Sequence, residues 1–135
     1  MQAFNVIKYV LIDRTLAVKL RLSLLYAYVR SVLLYASETW FDFEFTIRQR
    51  LNAFSGRIQA LMGLDPIRFP VNFYLAYKRR KLRWIGHALR SLYLRETVKL
   101  APHSYWGKMS LNWATDMAQD RTKWRQFVTE TTKKS

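Results

Sequence analysis

Apolar residues recur three and four positions apart along this chain, the spacing of helices with a buried side. Ala17, Leu20, Leu24, Tyr28, Val32 and Tyr35 form one such stripe, and Leu22, Leu25, Val29, Leu33 and Ala36 form a second beside it. Together they predict a helix from about Asp13 or Thr15 to Ser37, with Asp13 as its N-cap. An apolar arc this wide predicts burial on more than one side. Phe41, Asp42 and Phe43 lead into a second helix, which Asp42 or Glu44 can cap. Its apolar positions, Ile47, Leu51, Phe54, Ile58 and Leu61, suit antiparallel packing against the first helix. Gly63 is a natural stop, with Pro66 just beyond it.

Residues 65–77 hold Pro66, Pro70 and several aromatics and read as an ordered connection. A third helix is expected from about Lys78 to Leu92, with Leu82, Ile85, Leu89 and Leu92 turned inward. Residues 93–108 are less regular, broken by Pro102 and Gly107. A last helix runs from Ser110 to about Thr129 and buries Trp113, Met117, Trp124 and Val128. Only 4 Gly and 3 Pro occur, sparse turn chemistry that favours long helices. The expected fold is all-α, a compact bundle of about four to five helices.

Composition narrows the class. Half of the 135 residues are hydrophobic and 16% are aromatic, enough to build a core rather than a disordered chain. The absence of cysteine excludes disulfide scaffolds, zinc fingers and thiol nucleophiles. The opening stretch, Met1 to Ile12, carries Lys8 and lacks a small-residue cleavage site, so it does not read as a secretory signal. The longest apolar run, Leu22 to Ala36, is shorter than a membrane span and is interrupted by Arg30. No membrane partner is expected, and an intracellular setting, nuclear or cytoplasmic, fits.

Charge changes the picture most. The formal net charge is +14, from 23 Lys and Arg against 9 Asp and Glu. A domain with this excess repels itself unless an anion is near. The excess is local: residues 78–108 hold nine basic groups and one acidic group. Lys78, Arg79, Arg80 and Lys81, followed by Arg83, place five cations within six residues. On a helix, Arg79, Arg83, His87 and Arg90 fall within about one third of the circumference. Arg50 and Arg57, seven apart with Arg48 nearby, share the outer face of the second helix. Such cations neutralise phosphates and release counterions, and arginine adds bidentate contacts. Trp84, Tyr74 and Tyr77 flank the run, where exposed rings could stack on unpaired bases and buried ones would simply pack.

Little points to catalysis. Glu38 with Asp42, and Asp116 with Asp120, have the i,i+4 spacing that could hold a metal ion. Both pairs read better as helix caps and surface pairs. His87 lies on the basic stripe and His103 in an irregular stretch. Neither belongs to a recognisable triad or metal motif. There is no Gly-rich phosphate loop. No catalytic residue, metal or cofactor is expected.

Four blocks carry a resemblance. Leu16-Ala-Val-Lys-Leu-Arg-Leu with Val29-Arg-Ser-Val-Leu-Leu-Tyr-Ala-Ser-Glu-Thr-Trp40 is the first, and Leu51-Asn-Ala-Phe-Ser-Gly-Arg-Ile58 the second. Leu82-Arg-Trp-Ile-Gly-His-Ala-Leu-Arg90 matches an R-W-x-G-H-x-L-R pattern, and Asp120-Arg-Thr-Lys-Trp-Arg-Gln-Phe-Val128 a D-R-x-x-W-R-x-x-V pattern. In this order they resemble the thumb and C-terminal tail of non-LTR (LINE-type) retrotransposon reverse transcriptases. The resemblance covers nearly the whole chain. It implies a thumb-like antiparallel helical hairpin over residues 1–64 and a basic C-terminal helical region over 65–135. It also implies a role in gripping RNA or DNA beside a polymerase palm. Two departures stand out. The family's Gly-Arg-Pro-rich stretch is replaced by His103 to Trp113 at a shortened spacing. The Y/F-x-D-D turn of the family's RNA-directed DNA polymerase chemistry is absent.

The reading that follows is a non-catalytic nucleic-acid-binding module. It would contact phosphates through Lys78, Arg79, Arg80, Lys81, Arg83, His87 and Arg90, with Arg48, Arg50 and Arg57 from the second helix. The alternative is a degenerate relic of such an element that only packs against a partner, or has no function.

Overall fold

The computed structural model describes residues 2–40, 44–91 and 110–133. The proposed connection at 41–43, Leu92, the irregular stretch at 93–108 and His103 lie outside these residues. The fold is all-α, and no strand occurs among the described residues. Six helices are present there rather than four to five. They are α1 (Gln2–Ile12), α2 (starting at Val18–Leu24), α3 (Glu44–Leu61), α4 (Phe73–Arg90), α5 (Leu111–Gln119) and α6 (Arg121–Thr131). The chain forms two compact units that interleave in sequence. One comprises Met1–Ala36 and Gln49–Phe73, the other Ser37–Arg48 and Tyr74–Ser135.

The first unit contains a helix that the sequence pattern did not predict. α1 buries Phe4 and Leu11 and exposes Val6 and Tyr9. Asp13 does not cap α2. Its Oδ1 accepts from the Thr15 amide at 2.9 Å and the Thr15 hydroxyl at 2.7 Å, closing a turn between the helices. α2 begins only at Val18, passes through a π-helical segment at Leu25–Arg30, and ends as Ser31–Leu33. In this wider turn the Ser31 hydroxyl donates to the carbonyls of Ala27 and Tyr28. Of the two predicted apolar stripes, only the second faces inward. Leu25 and Val29 are fully buried, whereas Leu20, Tyr28, Val32 and Tyr35 are exposed by 48%, 55%, 58% and 79%. Burial on two sides is therefore not what the wide arc means.

The ends of α1 and α3 are joined by one buried arginine. Arg21 Nη1 donates to Leu11 O at 3.2 Å and to Met62 O at 2.9 Å, placing a cation at two helix C-termini, where the backbone dipole is negative. α3 stops at Gly63 as its sequence foretold. Gly63 takes φ of 62°, and the Gly63 and Leu64 amides donate back to Ala60 O and Gln59 O, the Schellman arrangement. The connection then folds back along α3. Gln59 holds it through Phe69 O and the Val71 amide. Ser55 Oγ accepts from the Phe73 amide at 3.1 Å, satisfying a first-turn donor of α4.

α4, which belongs to the second unit from Tyr74 onward, starts earlier than Lys78, because Phe73, Tyr74 and Tyr77 at the end of the expected connection are buried helix residues. Leu82, Ile85, Ala88 and Leu89 continue the buried side. The expected last helix is two helices. Ser110 caps α5, accepting from the Trp113 amide. Asp120 breaks the run in an extended conformation and caps α6, accepting from the amides of Thr122 and Lys123. Trp113 and Trp124 both pack on Phe127, with ring centroids 5.2 and 5.3 Å apart. Trp124 Nε1 donates to Leu82 O at 2.9 Å, tying α6 to α4.

Candidate functional site

The exposed surface of α4 is narrow and almost wholly basic. Arg79, Arg80, Arg83 and His87 are exposed, and the residues between them are buried or half-buried. The helix therefore shows little but its cations, as expected for Arg79, Arg83 and His87. The members of the run nevertheless have separate fates.

Lys81 is a correction. It is fully buried, and its ammonium donates to Glu38 O at 2.5 Å and Trp40 O at 2.8 Å. It also lies 5.3 Å from the centre of the half-buried Trp84 ring. Burial pushes its pKa down to about 8, against the pull of the Glu38 carboxylate. Such a lysine fixes the backbone and cannot reach a surface phosphate. Lys78 is half-buried beside the Glu44 carboxylate at 4.0 Å, and Arg80 sits 3.5 Å from Glu38. The Tyr74 hydroxyl also donates to Glu44. Tyr74 and Tyr77 are core residues, with Tyr77 stacked on Trp40 at 5.6 Å, so neither offers a ring to a base. Arg48 is exposed, its guanidinium 5.4 Å from the Tyr74 ring centre. Arg50 and Arg57 are exposed on the part of α3 that belongs to the other unit.

Beside the α4 stripe, α6 supplies two further arginines that the sequence reading left out. Arg79, Arg83, Trp124, Arg125, Val128 and Thr129 line a cleft of about 340 Å³. Arg83, Arg90, Arg121, Trp124 and Arg125 line a second cleft of about 220 Å³. Among the described residues neither lining contains a carboxylate. Arg79 and Arg90 are held in place: Arg79 Nε donates to Thr132 Oγ1 at 3.3 Å, and Arg90 Nη1 donates to Ala118 O at 2.9 Å. Burial, and after it the charges of Arg121 and Arg125, lowers the Arg90 pKa from its ordinary value. Arg83, Arg121 and Arg125 form no ion pair among the described residues. The signal for the missed pair was available. Arg121 and Arg125 are four apart on either side of the buried Trp124, in the block that resembles D-R-x-x-W-R.

No family model, curated protein or solved structure matches this chain. The chemistry must be read from the site itself. Among the described residues no group of three or more His, Asp or Glu side chains could hold a metal ion. Asp120 is engaged as a cap and lies 3.8 Å from Lys123 Nζ. No described helix is long and apolar enough to cross a membrane. What the clefts offer is a concave, densely cationic wall with a fixed indole. Such a wall is suited to holding phosphates.

Proposed function

We propose that this protein is a nucleic-acid-binding helical module. It grips the phosphates of RNA or DNA through α4 and α6 without sequence readout and carries out no chemistry of its own. One observation carries the reading: five arginines, Arg79, Arg83, Arg90, Arg121 and Arg125, line two adjoining clefts, with no carboxylate among the described residues of either wall. Like charges gathered this closely repel one another, and an anionic partner relieves the repulsion. The resemblance to the thumb and C-terminal tail of non-LTR reverse transcriptases supports the same reading from the sequence. The test is binding to a labelled structured RNA across a salt series. The logarithm of affinity should fall linearly with that of salt. Arg79→Ala/Arg83→Ala/Arg125→Ala should flatten the slope by roughly 0.7–0.9 per lost contact. Equal slopes for the two proteins would refute the reading.

The exposed apolar stripe of α2 favours a second reading. Leu20, Tyr28, Val32 and Tyr35 present a face of the sort that packs against another protein. On this reading the chain is an interaction module, with the palm of a reverse transcriptase the partner implied by the resemblance. Tyr28→Ser/Val32→Ser should then abolish association with such a partner while leaving RNA binding intact.

A further inference from the structure

The two basic clefts share Arg83, Trp124 and Arg125 and differ in the rest of their walls. The smaller, about 220 Å³, has four guanidiniums, from Arg83, Arg90, Arg121 and Arg125, around one indole. The larger adds Val128 and Thr129 to its arginines, a wall of mixed polarity. The small cleft is built rather than incidental. Arg90 is partly buried and anchored on Ala118 O. Trp124 is anchored on Leu82 O and is only 3% exposed. The adjacent carboxylate, Asp120, is committed to the amides of Thr122 and Lys123.

Four guanidiniums at one small cleft outnumber what a passing phosphodiester can use, since it has a single negative charge. A phosphomonoester carries a charge of roughly −1.5 to −2 at neutral pH and three strong acceptor oxygens. Arginine forks match that geometry bidentately. The adjoining cleft, with Val128 and Thr129, would take the sugar and base attached to such a phosphate.

We propose that the small cleft docks a terminal phosphomonoester, the phosphorylated end of an RNA or DNA strand, with the end nucleoside in the larger cleft. The source of the phosphate rests on the nucleic-acid reading above. The arginine cluster itself does not.

The experiment measures binding of the full chain to short single-stranded oligonucleotides bearing a 5′-phosphate, a 3′-phosphate or hydroxyl ends only. Inorganic phosphate alone and a long structured RNA serve as separate probes. One phosphorylated end should bind about tenfold tighter than the hydroxyl-ended strand, the worth of about one charge-assisted hydrogen bond. Arg121→Gln/Arg125→Gln should erase that preference. Both arginines are exposed, so the fold should survive, as circular dichroism would verify. The charge-matched Lys19→Gln/Lys133→Gln should keep the preference. Equal binding of all three ends, or a preference that survives in the arginine variant, overturns the proposal. If the long RNA still binds in that case, the functional reading stands without it. If inorganic phosphate shifts the arginine Nε–H resonances while no strand end is preferred, the cleft takes free phosphate and the strand-end proposal fails.

Discussion

The indole of Trp124 fills the space that a side chain at position 86 would need. A Cβ on Gly86 would lie 2.1 Å from Trp124 Nε1, far inside any real contact distance. Glycine is therefore required there for close approach rather than for backbone freedom. The glycine of the R-W-x-G-H block and the tryptophan of the D-R-x-x-W-R block are two halves of one joint, and that joint sets α6 against the basic face of α4.

Gly86→Ala should accordingly be among the most damaging single changes in the chain. The ring must leave its buried position and release Leu82 O. The cost should be roughly 2–4 kcal/mol by the usual penalties for overpacking and a lost buried hydrogen bond. Chemical denaturation followed by tryptophan fluorescence would show a lower midpoint and a red-shifted native spectrum. An unchanged midpoint would rule out the joint as drawn.

Arg21 is basic but should behave as a structural residue. Arg21→Met leaves Leu11 O and Met62 O without their shared donor, at a cost of roughly 1–3 kcal/mol. RNA affinity and its salt slope, measured well below the melting temperature, should not move, because the side chain is only 4% exposed. A slope that flattens in this variant would contradict the assignment.

Lys81 should leave a signature in the pH dependence of stability. Its folded pKa, about 8, lies below the unfolded value of about 10.4. Between these two values the unfolded chain holds a proton that the folded chain has released. Stability from this group therefore rises with pH across that window, and the penalty for burying the charged form is fully present below it. The neutral amine keeps two N–H donors for Glu38 O and Trp40 O. Comparing wild type with Lys81→Met by urea denaturation at pH ~7 and ~10 isolates the effect. The variant should be less stable at both, and the gap should be wider at the higher pH.

Asp120 should act through its cap. Asp120→Ala loses the acceptor for the Thr122 and Lys123 amides and should cost about 1 kcal/mol. Asp120→Asn should keep most of that stability, since asparagine caps almost as well. Thermal melting of the two variants separates a cap, which asparagine can replace, from a carboxylate whose charge is essential.

Helix class and the strongest punctuation were legible from residue spacing. The inward face of α4, the stop at Gly63 and the α3 positions Ile47, Leu51 and Ile58 follow from period and glycine chemistry alone. The errors share a cause: tertiary context that local pattern does not carry. The two stripes of α2 are equally apolar in sequence, and only the packed structure selects Leu25 and Val29 over Tyr28 and Val32. Asp120 looked like a surface residue within a continuous helix, yet the same Asx chemistry starts a new one. Lys81 read as one cation among five because its carbonyl partners, on Glu38 and Trp40, lie about forty positions away. The same holds for the candidate site. The α4 stripe was visible by itself, whereas its completion by Arg121 and Arg125 depends on the Gly86–Trp124 joint.

The interleaving of the two units also bears on how such a chain can be inherited. One unit takes its parts from Met1–Ala36 and Gln49–Phe73, the other from Ser37–Arg48 and Tyr74–Ser135. No single crossover within the chain leaves both sets of parts together, because every breakpoint divides at least one of them. Shuffling by recombination would thus yield crippled hybrids. Lineages that keep the arginine clefts of the second unit therefore inherit the chain segments of the first along with them.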